Sequence, residues 1–364
     1  MKITAAVTYE KGSDFVLKEA ELDDPKDNEV LIRMVGVGVC HTDALARDQF
    51  MPVPLPAVLG HEGSGIIEKT GSHVKHLKPG DHVVVSFSSC GVCEQCLEGR
   101  PFICERDGIP FRGTYADGTK RLSCEGQELS CFFGQSTFAT YAIADERNCA
   151  KIDSSVDLSI MGPMGCGIQH GAGAVMNSLR PEAGTSLVIF GTGAVGMSAL
   201  LAAVIVGCSK IICVDIVDSR LELALELGAT HAIHGKRTKD VVGEIRRITN
   251  GGANYAIDTS AVPDLINQAL LSLRPRGTCA LLASTGMKMV PLFLKDGILL
   301  PEKRLIGVIE GDSIPQIFIP KLVGLYNEGK FPFDKLVKKY PFEKINEAFE
   351  DSHSGKTIKP VLCF

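Results

Sequence analysis

The stretch from Ser186 to Asp215, SLVIFGTGAVGMSALLAAVIVGCSKIICVD, restricts the fold of this chain more than any other. Leu187 to Phe190 is a short continuous apolar run, the pattern of a strand buried on both faces of a parallel sheet. It stops at Gly191-Thr192-Gly193-Ala194-Val195-Gly196, and the apolar residues from Val195 to Cys208 that follow are enough for a buried helix. A second run, Ile211 to Val214, ends in Asp215. Strand, glycine turn, helix, strand and acid in this order favour a dinucleotide site over an ordinary βαβ unit with a convenient loop. Gly191 permits the tight turn, Gly193 lets the backbone approach a pyrophosphate, and Gly196 lets helix and strand lie close. The cofactor positions expected here are Gly191, Gly193, Ala194, Val195, Gly196 and Asp215. The helix N-terminus would meet the phosphates with unpaired N–H groups and a positive dipole end.

After the turn, strand and helix patterns alternate. Leu221 to Leu227 and Leu265 to Leu273 read as helices, Ala256 to Asp258 and Cys279 to Leu282 as strands, which is a doubly wound α/β arrangement. At 364 residues the chain exceeds what one core usually supports, so two domains are expected. Residues 1 to about 85 are β-rich, with runs such as Val30 to Val35 and Gly65 to Glu68 and a turn at Lys78-Pro79-Gly80-Asp81, the pattern of a partly closed barrel. Residues 107 to 134 read as loop, with Cys124 and Cys131 as inert buried thiols. Residues 136 to 160 return to β character. An amphipathic helix is expected around Pro320 to Glu328, and Pro360 to Phe364 is a closing apolar run.

The net charge of −5 carries no basic excess of the kind that marks nucleic-acid binding. The N-terminal stretch turns polar before an export signal could develop, and no apolar run reaches membrane-span length. Thirteen cysteines in a chain without an export signal point to a reducing compartment, where metal binding or catalysis is the default. Cys90, Cys93, Cys96 and, after seven residues, Cys104 match a tetrahedral zinc site with no open position. The rival is an iron–sulfur cluster, whose usual spacings differ. Three further stretches stand out: Gly38-Val39-Cys40-His41-Thr42-Asp43, Gly60-His61-Glu62-Gly63, and Gly162 to Gly173, where Cys166 is wrapped in small residues.

In this order the motifs, with the tail Gly355-Lys356-Thr357-Ile358-Lys359, resemble the zinc-dependent medium-chain alcohol dehydrogenases over nearly the whole chain. Within that family the chain is most similar to the bacterial aryl-alcohol (benzyl alcohol) dehydrogenases. The resemblance implies an α/β protein: a GroES-like β-rich catalytic domain at 1–167 with a structural-zinc lobe at about 88–108, an NAD-binding Rossmann domain at 168–309, and a return to the catalytic domain at 310–364. The active site is then expected where the two domains meet.

It further implies two Zn²⁺ per chain, a catalytic ion on Cys40, His61 and Cys166 with one position open to substrate, and a structural ion on Cys90, Cys93, Cys96 and Cys104. Asp43 is expected to hydrogen-bond His61 and fix its tautomer. Glu62 is either a charge behind the metal or its transient ligand. Thr42 would take the alcohol proton toward the nicotinamide ribose. Leu45 stands where relatives carry the next relay histidine, so the proton must leave by water, the ribose or another group. His41 occupies a position of a pyrophosphate-binding Arg in several relatives, and Lys359 that of a basic residue near the pyrophosphate, paired with Asp43. Arg220 would pack on the adenosine, and His170 replaces a Thr near the nicotinamide. Asp215 would accept both ribose hydroxyls and repel the 2′-phosphate of NADP, which selects NAD.

Phe87, Phe132, Phe133 and Ile309 are expected to wall an apolar, aromatic pocket, with Ser86 as an alternative to Phe87 and core packing as the alternative for the Phe pair. Gly108 falls where the glutathione-dependent formaldehyde dehydrogenases carry an arginine. The expected activity is oxidation of a primary, benzyl-type alcohol to the aldehyde with hydride transfer to NAD. Allylic or alkyl alcohols, glutathione-dependent formaldehyde oxidation, and a non-enzymatic zinc-organised interaction module are the alternatives. The resemblance also implies a cytoplasmic homodimer or homotetramer paired through edge strands of the cofactor domain, with a small alcohol or aldehyde as partner and neither nucleic acid nor membrane.

Overall fold

The structure, a computed structural model, describes residues 1–106 and 111–364. Gly108 and the expected end of the zinc lobe at residues 107–108 lie outside the described residues. The chain forms two compact units, one of residues 1–167, 313–328 and 334–364, the other of residues 168–312 and 329–333. The return to the first unit thus begins at Ser313 instead of residue 310. The reason is local: the Gly311 carbonyl accepts Asn177 Nδ2 at 3.0 Å and Asp312 accepts Ser178 Oγ at 2.7 Å, which ties this turn to the second unit.

The second unit is built on a parallel sheet whose spatial order is His231–His234, Lys210–Asp215, Ser186–Phe190, Ala253–Asp258, Leu273–Leu281, Arg304–Gly307. Numbered along the chain this is 3-2-1-4-5-6, the order that reverses beside its first strand and leaves a crevice at that strand's carboxyl end. Every residue of Ser186–Phe190 is buried, as its uninterrupted apolar run requires. The helix behind the glycine turn runs Ala194–Ile205 and stops short of Cys208, because Gly207 takes a φ of +81° and turns the chain. The helix expected to end at Leu273 is Pro263–Ser272, and Leu273 opens the next strand.

The first unit holds two sheets. One orders Ala57–Val58, Lys2–Thr8, Val16–Leu22, Leu122–Cys124 and Gln127–Leu129. The other orders Cys149–Lys151, His82–Val85, Gly63–Thr70, Glu29–Gly38, Lys359–Cys363 and Val337–Pro341, with Tyr141–Asp145 also on Glu29–Gly38. Val30, Ile32, Val37, Leu59, Phe138, Ile143 and Leu362 belong to one buried cluster between them. The supposed loop at 107–134 therefore contains a hairpin, turned at Glu125 and Gly126 with φ of +52° and +80°. Its strands are three residues each, too short for alternation to be read, yet Leu122, Cys124 and Leu129 all point inward.

The late helix is Pro315–Asn327, starting five residues before Pro320. Pro315 occupies its first turn, where a missing N–H costs nothing, and Phe318, Ile319, Leu322 and Val323 form its buried face. Among the described residues no helix is long and apolar enough to cross a membrane.

Candidate metal centre and dinucleotide turn

The strand Glu29–Gly38 delivers Cys40 to the N-cap of the short helix His41–Arg47, and the Cys40 N–H donates to Asp43 Oδ2 at 3.1 Å. The other oxygen of this buried carboxylate accepts the Gly60 N–H at 3.0 Å and meets His61 Nδ1 at 2.9 Å. Asp43 thereby fixes the ring, and the opposite nitrogen, His61 Nε2, is buried with no hydrogen-bond partner among the described residues. Cys40, His61, Glu62 and Cys166 each place a ligand atom within 4.8 Å of the others. An orphaned buried nitrogen facing two thiols is costly alone and is satisfied by a metal ion. The electrostatics agree. The hydrogen bond from Cys166 leads in holding the Cys40 thiol well below its ordinary value. Burial would lower His61, yet the charges of Asp43 and Cys40 hold it above its ordinary value, so this point in the molecule favours a cation.

The small residues around Cys166 serve the backbone. A Cβ on Gly165 would lie 2.1 Å from the Val85 carbonyl, and one on Gly162 would lie 2.2 Å from the Glu62 carbonyl. What approaches closely is the pair of strands that carries the site.

Lys359 departs from expectation. It is 3% exposed, and its ammonium spans both Glu62 oxygens at 2.9 and 3.0 Å and donates to the Val39 carbonyl at 3.1 Å. Its expected partner Asp43 is already occupied by Cys40, Gly60 and His61, whereas Glu62, buried and charged, needs a counter-ion. Burial pushes Glu62 up, to about 7, against Lys359, and Glu62 in turn holds Lys359 above its ordinary value despite burial. The ammonium grips both Glu62 oxygens and the Gly167 N–H donates to one of them at 3.2 Å, while a carboxylate oxygen still lies within 4.8 Å of the Cys40, His61 and Cys166 ligand atoms.

Thr42 is half-buried with its hydroxyl 3.7 Å from Cys40 Sγ, and His41 is exposed. The Phe pair packs directly on His61. The Phe133 ring stacks on the His61 imidazole at 4.5 Å and 20°, and Phe132 meets it edge-on at 5.5 Å. Phe111 lies against both rings, at 5.8 and 6.0 Å, and sequence reasoning missed it because no motif surrounds it. Phe132 is fully buried in the core cluster of the first unit, whereas Phe133 is half-buried. Phe87 is also buried, while the Ser86 hydroxyl is engaged by the Gly165 carbonyl at 2.6 Å. Ile309 belongs to the second unit and is 54% exposed.

The four cysteines of the lobe gather their sulfurs within 4.8 Å of one another. Cys90 and Cys96 sulfurs are 4.0 Å apart and those of Cys93 and Cys104 3.9 Å, far too long for disulfides. Zn–S bonds of about 2.3 Å place tetrahedral sulfurs about 3.8 Å apart. Backbone N–H groups of Val92, Cys93 and Cys90 point at the sulfurs at 3.2 to 3.4 Å, the donors a thiolate cluster needs. The donor set fits a closed zinc site.

In the glycine turn the three glycines separate by role. Gly191 has φ +91°. A Cβ on Gly196 would lie 1.9 Å from the Gly191 carbonyl, whereas one on Gly193 would meet nothing within 4 Å. Gly193 therefore leaves open the space at the helix N-terminus that a pyrophosphate would need. Asp215 ends its strand beside this turn, with Oδ2 accepting both the N–H and the hydroxyl of Thr192 at 2.7 Å. His170 Nε2 contacts the Val308 carbonyl at 3.0 Å, and Arg220 has a buried Nε without a partner among the described residues.

Residues 26–154 match the family described as alcohol dehydrogenase GroES-like domain, and residues 194–325 the one described as zinc-binding dehydrogenase. A geraniol dehydrogenase of Castellaniella defragrans is 45% identical over 364 residues, 99% of this chain and 97% of the relative. The chain belongs to the medium-chain, zinc-binding alcohol dehydrogenases. Two solved structures extend the likeness. The dehydrogenase matches an alcohol dehydrogenase zinc-binding domain protein from Burkholderia ambifaria at 48% identity and a TM-score of 0.98, covering 100% and 99% of the two chains. It matches the benzyl alcohol dehydrogenase of Acinetobacter calcoaceticus at 47% identity and a TM-score of 0.97, with the same coverage. Its fold is therefore a GroES-like domain with a Rossmann-type dehydrogenase domain, in a family that uses zinc and NAD(H).

Proposed function

We propose that this dehydrogenase oxidises a primary alcohol whose carbinol carbon adjoins a π-system, benzyl-type first, to the aldehyde with hydride transfer to NAD. The observation that carries the reading is the aromatic cluster at His61, with Phe133 and Phe132 packed on its ring and Phe111 packed on both of them. The names of two relatives, benzyl alcohol and geraniol dehydrogenase, support the same chemistry, since both alcohols carry an sp² carbon next to the reacting centre.

Cys40, His61 and Cys166 would hold one zinc, which when bound supplies a Lewis acid that lowers the pKa of an alcohol hydroxyl at neutral pH. Asp43 keeps the proton on His61 Nδ1, so the Nε2 lone pair faces the ligand cluster. Thr42 takes the hydroxyl proton of the alcohol, and with Leu45 next on the path the proton continues by water or ribose. Phe133 and Phe132 exclude water from this imidazole, and the half-buried Phe133 gives a planar substrate an apolar face. Glu62, neutralised by Lys359, sets the charge behind the cluster. Gly191, Gly193 and the helix N-terminus hold the pyrophosphate, and Asp215 takes the ribose hydroxyls, which favours NAD over NADP. Cys90, Cys93, Cys96 and Cys104 take a second zinc that folds the lobe.

The test is NAD reduction across benzyl, allylic, short alkyl and hydroxymethylglutathione substrates. Benzyl alcohol is expected to give the highest kcat/KM, with allylic alcohols close behind and ethanol far below. Preference for a short alkyl alcohol or for hydroxymethylglutathione would overturn the assignment. Metal analysis is expected to give two zinc ions per chain.

A further inference from the structure

We propose that Thr192 is a positioning residue for cofactor choice: its hydroxyl locks the Asp215 carboxylate so that the charge cannot turn away from a 2′-phosphate. The inference rests on the reading of Asp215 as the ribose-facing acid and assigns a function to the second residue of the glycine turn, the one residue of Gly191–Gly196 with a side-chain hydrogen-bond donor.

Thr192 is fully buried, and both its N–H and its Oγ1 donate to Asp215 Oδ2 at 2.7 Å. The other oxygen, Oδ1, accepts the N–H groups of Ile216 at 2.7 Å and Val217 at 3.1 Å. A carboxylate offers about four lone-pair sites, so this one is held on both oxygens. Three of the donors are backbone groups placed by the strand end and by the turn, which is itself anchored where the Gly191 N–H meets the Val214 carbonyl at 2.9 Å. The Thr192 hydroxyl is the only side-chain donor among the four, and hence the only one a substitution removes.

A carboxylate free to change χ1 swings aside when a phosphate arrives and so discriminates weakly. One gripped on Oδ2 from two directions keeps its charge in place. Ribose hydroxyls are donors and can add to an anionic oxygen as a third, weaker contact, whereas a phosphate dianion meets fixed like charge.

The experiment measures dissociation constants of NADH and NADPH on the purified zinc-loaded protein, from the fluorescence of the reduced nicotinamide. The chain has no tryptophan to interfere. Thr192→Val keeps shape and removes the hydroxyl. It is expected to lower the ratio of NADPH to NADH dissociation constants by roughly tenfold, the size of one charge-assisted hydrogen bond, chiefly through tighter NADPH binding. Thr192→Ser is expected to restore the wild-type ratio. If Thr192→Val does not fold, Thr192→Ala carries the same expectation. An unchanged ratio, or equal weakening of both nucleotides, overturns the proposal. Asp215→Ser separates the two levels: if it leaves the ratio unchanged, the reading of Asp215 itself fails, and if it collapses the ratio while Thr192→Val does not, only the role of Thr192 fails.

Discussion

Asp43 does the work of three residues: it caps a helix through the Cys40 N–H, fixes the Gly60 turn and holds the His61 ring. Asp43→Asn keeps the shape but cannot accept at every contact, so zinc affinity is expected to fall about 10- to 100-fold, read by competition with a chromogenic chelator. A buried lysine offers a different check. Lys303 is 7% exposed and donates to the Leu270 carbonyl at 2.7 Å, and burial, with Arg246, lowers its pKa to about 8. Folding therefore disfavours its ammonium, a cost absent above the unfolded value and fully present once pH has fallen below about 8. Lys303→Met should stabilise the protein by about 1–2 kcal/mol at pH 7, with the gain gone near pH 10.5, by chemical denaturation. At this scale the residues that gather at the candidate metal centre stood out in the sequence through their motifs, but their partners did not. The Lys359–Glu62 pair spans 297 residues and the Phe111 contact belongs to no motif, so neither leaves a local trace.

The glycine turn shows how one element divides its residues between fold and ligand. Gly196→Ala would drive a Cβ into the Gly191 carbonyl and is expected to cost about 1–3 kcal/mol of stability. Gly193→Ala meets open space, so stability should hold while NADH binding weakens at least tenfold; thermal melts with and without NADH separate the two. The zinc lobe is the complementary case, an element with almost no apolar material, in which Cys93→Ser should remove one zinc per chain and leave the other in place. Long buried strands and the βαβ unit were legible because period and length agree there. The hairpin at Leu122–Leu129 was not, since strands of three residues carry too few alternations, and the helix at Pro315–Asn327 misled because Pro320 lies inside it.

Across the whole molecule, the parallel sheet ends at Arg304–Gly307, and the preceding segment exposes Met287, Met289, Phe293, Leu294, Leu299 and Leu300. An edge strand flanked by so much exposed apolar surface favours a second copy of the chain as its cover. Sedimentation is expected to give a dimer or tetramer, and Leu299→Lys with Leu300→Lys to shift it toward monomer. The order in which the chain visits its two units has a different consequence. The strand Lys359–Cys363 completes the sheet of the first unit against Glu29–Gly38, and it brings the lysine that neutralises Glu62 from 297 residues away. Cys40, His61 and Cys166 all precede that strand in the chain, so the buried Glu62 meets its counter-ion only once a segment 297 residues further along has paired with Glu29–Gly38. The charge balance of the candidate metal centre is therefore a property of the completed sheet and not of the local segment that carries Cys40 and His61.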